Sequence, residues 1–504
     1  MSQPTPVTPI DAPPAAVADR LATVRVAVGD DLARSLADAC DSVSVLDEDR
    51  AEAGRDWWPL AIGWAAEGAV PSRPAVVARP TDTAQVAAVL ALCDNAGVPV
   101  TPAGGRSGVC GASIPLFGGV ALDLCGLAGI GDVDDVSLVA DLRAGTFGPD
   151  VEAGLRGGHG LTLGHWPQSM DLSTVGGWLA CRGAGQYSNR YGKIEDMVLG
   201  LEVVLADGRI IRTGGTGPRS ATGPDLTQLF VGSEGTLGVI TEGRFRVHPV
   251  PEGGGRRSVG FASFAEGLDA CRRILRRGAS PAVLRLYDTT ESGRNFDQPD
   301  TNVLIVLDES DPALVDATLA VVDQECTGAV ALDVALVDRW LSHRNDVSAL
   351  APLWRSGVVV DTVEVSARWA SLPGLYAAVL DTLGGVPGTL VASSHQSHAY
   401  TDGACLYFTF AGRPPEELAP GRQDAWVGDY YRRAWDAVTR ATIDAGGAIS
   451  HHHGIGLNRG RFLAEGLGGA FDVLAAVKHA LDPRGILNPG KLGLPSAFGP
   501  VPWP

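Results

Sequence analysis

The most constraining feature of the sequence is a glycine-rich loop at residues 102–108, Pro-Ala-Gly-Gly-Arg-Ser-Gly. Apolar segments with the composition of β-strands lie on both sides, at residues 98–101 and 119–124. Glycines allow backbone N–H groups to turn inward and approach an anion where a Cβ would collide. The loop therefore predicts either a pyrophosphate-binding nest or a tight turn between two strands.

Further glycine-dense stretches follow the loop, at residues 164–178, 182–185 and 232–241. Long polar loops of this kind are often functional, so their number favours the pyrophosphate nest. The order of the elements is strand, helix, strand and then the glycine loop, and the loop contains no Gly-x-Gly-x-x-Gly. An NAD-binding Rossmann domain, which places such a motif after its first strand, is therefore disfavoured.

Composition and charge exclude several classes of protein. The 504 residues are enough for two or three domains, and a net charge of −18 argues against nucleic acid as a partner, because phosphate binding needs a basic face. The eight cysteines include no Cys-x-x-Cys pair, which fits reduced thiols. We expect a cytoplasmic protein without a bilayer-spanning segment, beginning with a disordered lead at residues 1–20.

Half of the ten histidines lie in two short segments of the second half, at residues 394–407 and 450–456. They are His395, His398, His451, His452 and His453. Imidazoles can act as metal ligands, proton relays or cationic partners of an anionic substrate. Tyr407 ends the first segment, and two interpretations of it stay open: an aromatic residue of a sheet, or a group that transfers protons.

Three ordered motifs resemble the FAD domain of the vanillyl-alcohol-oxidase/PCMH flavoproteins. They are the loop at 102–108, Pro-Gln-Ser-Met-Asp-Leu-Ser-Thr-Val-Gly-Gly at 167–177, and Gly-Ser-Glu-Gly-Thr-Leu-Gly-Val-Ile-Thr at 232–241. The resemblance implies an α+β fold. After an N-terminal helical region at 21–70, it places a PCMH-type two-subdomain FAD-binding domain at 71–250, a substrate (cap) domain with an antiparallel sheet at 251–445, and a C-terminal segment at 446–504 that returns to the flavin.

Two branches of that superfamily compete for the sequence. The D-lactate and glycolate type of 2-hydroxy-acid dehydrogenase carries a His-Ala-x-Asp-Gly-Asn-x-His motif and a later Gly-Glu-His-Gly-Ile-Gly motif that bind a divalent metal. His398, Asp402 and Gly403 are similar to the first motif, but Tyr407 lies near the place of its second His. His452 replaces the metal-binding Glu of the later motif, and His cannot supply its charge.

The other branch, alkylglycerone-phosphate synthase, matches more stretches. They are Tyr-x-x-Gly-Ala-Cys-x-Tyr-Phe-x-Phe at 400–410, Ser-His-His-His-Gly at 450–454, Gly-Pro-Arg-x-x-Thr-Gly-Pro-Asp at 217–225 and Pro-Ala-x-x-Arg-Leu-x-Asp at 281–288. This resemblance implies ether-lipid synthesis, in which the acyl group of acyl-dihydroxyacetone phosphate is exchanged for a fatty alcohol through an adduct at the flavin N5. An FAD-dependent oxidoreductase of a D-2-hydroxy acid is the alternative, and a catalytically idle flavin-binding protein is a third possibility.

The resemblance also implies the site. It makes Tyr407, His451, His452 and His453 catalytic, and it places Arg344, with Arg355 as the reserve, and Arg285 on the substrate. It implies non-covalent FAD, in agreement with a loop that has no His for an 8α bond, and it implies no metal. The FAD-binding residues that it implies are Pro102, Ala103, Gly104, Gly105, Arg106, Ser107, Gly108, Pro167, Gln168, Ser169, Met170, Asp171, Leu172, Ser173, Ala180, Cys181, Arg182, Gly183, Glu234, Gly235, Thr236, Leu237, Gly238, Val239 and Ile240.

Arg106 departs from the family pattern, which usually has a third Gly or a Thr at this position. The departure places a cation beside the pyrophosphate or the flavin. The expected partners are a small-molecule phosphorylated lipid or hydroxy acid and a second copy of the chain in a homodimer. A long-chain substrate would also bring a peripheral membrane contact.

Overall fold

The computed structural model describes residues 8–21, 24–418 and 423–503. The N-terminal part of the described chain packs against the rest of the molecule. Its elements are a 3₁₀ helix (Pro14–Ala16), β1 (Ala18–Asp19), α1 (Asp30–Ala39), β2 (Ser42–Ser44), α2 (Asp47–Glu52), α3 (Pro59–Ala66) and β3 (Ala69–Val70). Strands β1 and β3 pair in parallel.

Residues 8–20 differ from the disordered lead expected at 1–20. Thr8 and Val17 are buried, and Nη1 of Arg55 donates a hydrogen bond of 2.6 Å to the backbone oxygen of Thr8. A buried arginine needs acceptors, and this segment supplies one, so it is ordered. The part of the prediction that covers residues 1–7 lies outside the described residues.

A four-stranded sheet carries the glycine-rich loop. Its order is β2-β4-β6-β5, and its remaining elements are β4 (Val76–Arg79), α4 (Thr83–Ala96), β5 (Val100–Ala103), β6 (Val120–Asp123) and a 3₁₀ turn (Leu124–Gly126). Asp82 caps the start of α4 by accepting from the backbone N–H of Gln85, and Gly97 ends it with a φ of 64°. The loop therefore begins where β5 ends, beside the parallel strand β6.

A five-stranded antiparallel sheet forms the second part of the same half, in the order β11-β10-β12-β8-β7. Val203 and Phe245 of this sheet are fully buried. The second and third glycine-dense stretches connect its strands and helices. The elements are β7 (Ile130–Asp134), β8 (Val139–Arg143), α5 (Gly148–His159), β9 (Leu161–Thr162), α6 (Val175–Cys181), α7 (Ser188–Tyr191), α8 (Ile194–Met197), β10 (Val198–Val204), β11 (Ile210–Arg212), α9 (Leu226–Phe230), β12 (Val239–Arg246) and β13 (His248–Pro249), which pairs with β9.

A seven-stranded antiparallel sheet, here called the cap sheet, follows in the order β17-β14-β16-β15-β19-β20-β18. One face packs on helices, and the other carries polar side chains. The elements are β14 (Gly253–Phe261), α10 (Phe264–Arg276), β15 (Val283–Tyr287), α11 (Thr289–Phe296), β16 (Asn302–Ser310), α12 (Pro312–Glu325), β17 (Val330–Ala331), α13 (Ala335–His343), α14 (Leu350–Arg355), β18 (Val359–Arg368), α15 (Leu372–Gly384), β19 (Thr389–Ala399), β20 (Gly403–Gly412) and α16 (Gln423–Asp444).

The register of the cap sheet places four polar or aromatic residues in one row. Tyr287 of β15 pairs with His395 of β19, His395 pairs with Tyr407 of β20, and Tyr407 pairs with Glu364 of β18. Side chains of directly opposed residues point to the same face of a sheet. The four side chains therefore project together from one face, although more than 100 residues separate Tyr287 from Tyr407.

The C-terminal segment returns to the glycine-rich loop after α17 (Gly460–Leu467) and α18 (Ala470–Leu481). Leu487 forms a parallel bridge with Val100 of β5, and Lys491 donates a hydrogen bond of 2.7 Å to the backbone oxygen of Ile114. The expected α+β architecture is confirmed. Among the described residues, no helix is both long and apolar enough to span a bilayer.

Candidate active site

A cavity of about 840 Å³ lies where the glycine-rich loops of the first half meet the polar face of the cap sheet. Its volume is in the range of about 300–1,000 Å³ that is typical of ligand sites. Most of the residues expected to hold the cofactor line it. They are Pro102, Ala103, Gly104, Gly105, Arg106, Ser107, Gly108, Pro167, Gln168, Ser169, Leu172, Ser173, Ala180, Cys181, Gly183, Glu234, Gly235, Gly238, Val239 and Ile240.

Five of the expected cofactor residues do not line this cavity. Met170 and Leu237 are part of the apolar core under the five-stranded sheet. The exposed Arg182 pairs with Glu195. The remaining two are Thr236, whose hydroxyl donates to the backbone of Ser233, and the exposed Asp171. A contiguous motif contains residues that support a loop as well as residues that touch the ligand. The motif alone therefore predicts more ligand contacts than the folded loop provides.

The first two glycine-rich stretches approach each other closely. A Cβ at Gly104 would lie 2.2 Å from Oγ1 of Thr174, and a Cβ at Gly105 would lie 2.0 Å from the backbone oxygen of Leu172. Only glycine fits at such separations. The glycines of the opening loop are therefore required by the packing of the cavity wall itself.

Two side chains on this wall have buried donors without a protein partner. Nε and Nη2 of Arg106 have no hydrogen bond, and Nη1 reaches only Oδ2 of Asp123, at 3.3 Å. His165 is fully buried, and neither ring nitrogen has a partner. Burial lowers the pKa of His165 to about 3, so the ring is neutral at pH 7. Buried donors normally find acceptors, so this wall fits an acceptor-rich, anionic group such as FAD.

Tyr407 lies on the opposite wall, between two imidazoles. Its hydroxyl is 2.7 Å from Nε2 of His452 and 3.0 Å from Nε2 of His453. Burial raises the pKa of Tyr407 well above its ordinary value and lowers that of His452 to about 3 and that of His453 to about 4. The phenol is therefore protonated beside neutral imidazoles, one of which can accept its proton.

His451 extends this chain of hydrogen bonds away from Tyr407. Its Nδ1 lies 2.8 Å from Nδ1 of His452, and its Nε2 lies 2.9 Å from the hydroxyl of Tyr400. Tyr407, His452, His451 and Tyr400 are thus linked in series. Of the three consecutive histidines, His452 and His453 line the cavity and contact Tyr407, whereas His451 does not line it and joins the series through His452.

A buried ion pair holds the histidine segment. The carboxylate of Glu364 accepts from Nη1 of Arg459 at 2.7 Å and from the backbone N–H groups of His451 and His453. Both charged side chains are fully buried. Burial alone would raise the pKa of Glu364, but the Arg459 guanidinium and the neighbouring donors hold it well below its usual range.

Of the three arginines expected on the substrate, Arg285 and Arg344 line the cavity. Trp340 lies between them, with its ring centroid 5.7 Å from Cζ of Arg285 and 5.8 Å from Cζ of Arg344. Arg355 does not line the cavity, and its Nη2 donates to the hydroxyl of Thr8 at 2.7 Å. Arg355 ends α14, which turns it toward the N-terminal segment. The structure therefore places the reserve position away from the cavity.

Sequence reasoning missed several residues of the site. His165, Glu291 and Trp340 line the cavity, and Glu364 orders the histidine segment from behind. The sequence singled out His398 as one of the clustered histidines and as part of a motif, but gave it no role. It occupies a register shift of the cap sheet with a φ of 49°, and its Nδ1 lies 2.8 Å from the hydroxyl of Ser188. Of these residues, only Glu364 could have been noticed in the sequence, because it is a charged residue within an apolar strand-like run.

Glycine loops with unpaired buried donors, facing a sheet of paired titratable side chains, fit a protein that binds a flavin dinucleotide. Residues 74–214 match the family described as the FAD binding domain, and residues 256–492 match the C-terminal domain of FAD linked oxidases. The chain belongs to the FAD-linked oxidase family, and its cofactor is FAD.

The relatives have different activities at similar identity. Uncharacterized FAD-linked oxidoreductase YgcU of Escherichia coli O157:H7 is 30% identical over 83% of this chain and 89% of its own length. Alkyldihydroxyacetonephosphate synthase of Dictyostelium discoideum is 29% identical over 84% and 74%. Glycolate oxidase subunit GlcD of Bacillus subtilis is 29% identical over 84% and 89%.

The solved structures confirm the PCMH-type fold. A structure of alkyldihydroxyacetonephosphate synthase superposes with a TM-score of 0.77 at 25% identity, over 96% of this chain and 88% of the other. A structure of p-cresol methylhydroxylase gives 0.75 at 18% identity, over 94% and 99%. The prediction of a vanillyl-alcohol-oxidase/PCMH-type flavoprotein is thereby confirmed.

Proposed function

We propose that the chain is an FAD-dependent enzyme of the alkylglycerone-phosphate synthase type. It would exchange the acyl group of acyl-dihydroxyacetone phosphate for a fatty alcohol. The observation that carries the proposal is the Tyr407 hydroxyl within hydrogen-bond distance of His452 and His453 on the cavity wall. The similarity to the synthases of known sequence and structure supports it.

The cavity has room and chemistry for an amphiphile with an anionic end. Arg285 lines it from β15, and Val360 lines it from β18, three strands away across the cap sheet. Neighbouring strands are about 4.8 Å apart, so the three steps across the sheet alone account for about 14 Å between the two positions. The apolar residues that line the cavity include Trp57, Pro59, Leu350 and Leu353, and the polar Asp361 and Thr362 lie beside Val360. A phosphate at the arginines and a hydrocarbon chain along these apolar residues fit the two regions.

In the proposed reaction the C1–O bond to the fatty acid breaks and the acid leaves as a carboxylate. The alcohol forms the new C1–O bond and gives up its hydroxyl proton. When bound, FAD supplies the isoalloxazine ring with its reactive nitrogen N5. Tyr407 can take the alcohol proton at its oxygen while its own proton passes to Nε2 of His452, and His452 can share the charge with His451. Burial disfavours a cationic His452, and the nearby carboxylate of Glu364 opposes this effect by acting to raise its pKa.

The test supplies the purified yellow protein with acyl-dihydroxyacetone phosphate and a long-chain alcohol. The proposal expects release of fatty acid that depends on the alcohol, with formation of the alkyl ether and no net consumption of an electron acceptor. Absence of ether product from FAD-loaded protein would contradict it.

A second candidate is an oxidoreductase of a D-2-hydroxy acid such as D-lactate or glycolate. One observation favours it: ligand nitrogens of His398, His451 and His452 all lie within 4.8 Å of one another, as in a site for a transition metal. Anaerobic bleaching of the flavin by D-lactate or glycolate, together with stoichiometric zinc or manganese in the purified protein, would establish this candidate and remove the first.

Attachment of FAD without a covalent bond is a further part of the proposal. The loop at residues 102–108 contains no histidine, although His165 lines the same cavity. We expect denaturation in acid to release all of the yellow colour into the supernatant. Colour that stays with the precipitated protein would indicate a covalent bond.

A further inference from the structure

We propose that Glu291 and His395 are positioning residues, which hold the guanidinium of Arg285 in the cavity wall so that it can bind the anionic group of the substrate. The inference deepens the proposed function, and it rests on that function only for the identity of the anion. It concerns a line of three side chains on the polar face of the cap sheet.

The hydrogen bonds determine which nitrogen of His395 carries the proton. Nη2 of Arg285 lies 2.6 Å from Nε2 of His395, and Nδ1 of the same ring lies 2.7 Å from Oε2 of Glu291. A guanidinium can only donate, so Nε2 accepts and the proton is on Nδ1. The Glu291 carboxylate accepts from Nδ1 and so stabilises this tautomer.

Glu291 is itself immobilised. Its Oε1 accepts from the hydroxyl of Thr409 at 2.9 Å and from that of Ser393 at 3.2 Å, and it lies 3.3 Å from Nη2 of Arg294. The side chain is 1% exposed. Burial alone would raise the pKa of Glu291, but the His395 ring and Arg294 lower it to about 2, while burial lowers the pKa of His395. An anionic carboxylate beside a neutral imidazole agrees with the tautomer.

Aromatic rings contact the guanidinium of Arg285, in addition to its hydrogen bond with His395. Its Cζ lies 5.6 Å from the ring centroid of Tyr287 and 5.7 Å from that of Trp340. Its Nε is buried and has no hydrogen-bond partner. A guanidinium held by stacking and by one neutral acceptor keeps its charge and its remaining donors for a ligand. The anionic group of a substrate in the cavity is the acceptor that this geometry fits.

The test compares His395→Phe and His395→Gln with the wild type. Phenylalanine retains a ring to stack on Tyr407, whose ring lies 4.8 Å from that of His395 at 11°, but it offers Arg285 no acceptor. The oxygen of glutamine can replace Nε2 as the acceptor. His248→Phe is the matched control, because His248 also packs on a tyrosine, at 5.0 Å, but does not line the cavity.

The readouts are the Kd of dihydroxyacetone phosphate, from its perturbation of the flavin absorbance, and the KM and kcat of acyl exchange. For His395→Phe we expect Kd and KM to rise about tenfold or more and kcat to change less than about threefold. His395→Gln should recover most of the loss, and His248→Phe should match the wild type. Unchanged Kd in His395→Phe, or a loss confined to kcat, would overturn the inference.

The design separates this inference from the proposed function. If the wild type binds D-lactate and not dihydroxyacetone phosphate, the proposed function fails, and the same variants test the inference through the Kd of D-lactate. A readout without any ligand is the ¹⁵N NMR spectrum of histidine-labelled holoenzyme, with the His395 signals assigned by their loss in His395→Phe. The inference expects a neutral ring protonated on Nδ1. A proton on Nε2, or an imidazolium at pH 7, would overturn it.

Discussion

The two walls of the cavity are built in opposite ways. The wall from the first half consists of glycine loops, and its buried donors on Arg106 and His165 have no protein partner. On the wall from the cap sheet, Tyr407 and Arg285 are hydrogen bonded to imidazoles of the same wall. The first wall is arranged to be completed by a cofactor, whereas the second is held largely by its own hydrogen bonds, with Nε of Arg285 left for a ligand.

This difference indicates that the first wall binds the cofactor and that the second wall carries the groups for the chemistry. Unpaired buried donors are costly and gain most from an anionic ligand, so the first wall provides affinity for FAD. Paired titratable groups in a buried site have shifted pKa values and fixed tautomers, which general acid–base catalysis requires. We therefore expect variants of the first wall to lose cofactor and variants of the second to lose turnover with FAD still bound.

The largest effect is expected for Tyr407→Phe. Because the variant removes the hydroxyl that contacts His452 and His453, turnover should fall by about 10²–10⁴-fold while FAD stays bound. Initial rates of acyl exchange and the flavin content of the purified protein are the measurements. Tyr430→Phe is the control, because its buried hydroxyl contacts Thr389 outside the cavity. Rates of Tyr407→Phe equal to those of the control would remove Tyr407 from the mechanism.

Glu364→Gln should lower the stability of the fold, because Glu364 holds the histidine segment of the second wall. The variant leaves the Arg459 guanidinium buried without its carboxylate, which costs about 3–5 kcal/mol of the free energy of unfolding. Urea denaturation at pH 7 measures the loss.

The effect of this substitution depends on pH in a defined direction. The pKa of Glu364 is lower in the folded than in the unfolded chain, so its contribution is fully present above the unfolded value of about 4.3 and is lost as the pH falls below it. The difference between wild type and Glu364→Gln should therefore shrink in acid. A difference that is constant from pH 7 to pH 3 would contradict the assigned charge.

Arg106→Gly tests the first wall. Arg106 has a φ of 54°, where glycine is favoured, so we expect no loss of stability from the backbone. Loss of the guanidinium should weaken FAD binding by about 10–100-fold, the effect of a hydrogen bond to a charged group. Titration of apoprotein by flavin fluorescence measures the Kd.

Arg182→Gly is the matched control for this variant. Arg182 has a φ of 58° and an exposed side chain, and it does not line the cavity. Its substitution should leave the Kd of FAD unchanged. If both variants weaken FAD equally, the effect comes from the backbone of the loops and not from the Arg106 charge.

The smallest effect distinguishes two arginines that the sequence could not separate. Arg344 lines the cavity, and Arg344→Ala should raise KM about tenfold through loss of a contact to the substrate anion. Arg355→Ala should leave KM unchanged, because Arg355 contacts Thr8 outside the cavity. Steady-state kinetics with the anionic substrate measures both. A rise in KM for Arg355→Ala alone would reverse the assignment.

The first wall could be predicted from the sequence to a large extent. Its loops are contiguous motifs, and the glycines at 104 and 105 are visible within one of them, although the residues that require them, Leu172 and Thr174, lie in another loop. The errors within the motifs, such as Met170 and Leu237, are residues that pack behind the loop. A pattern of residue types does not say which side chain of a loop points inward.

The second wall could be predicted only in part. The three consecutive histidines were recognisable, but the row from Tyr287 through His395 and Tyr407 to Glu364 depends on the register of four strands. A shift of one residue would turn each side chain to the other face, and nothing local to a strand determines the pairing. Glu291 of α11 and Trp340 of α13 also line the cavity, and no pattern local to either helix connects them with it.

The most direct test of the central claim is an experimental structure of the FAD-loaded protein. We expect the pyrophosphate at residues 102–108 within hydrogen-bond distance of Arg106, and the isoalloxazine ring between the first wall and the Tyr407 hydroxyl. FAD bound elsewhere, or a flavin ring that faces away from Tyr407 and His452, would contradict the account.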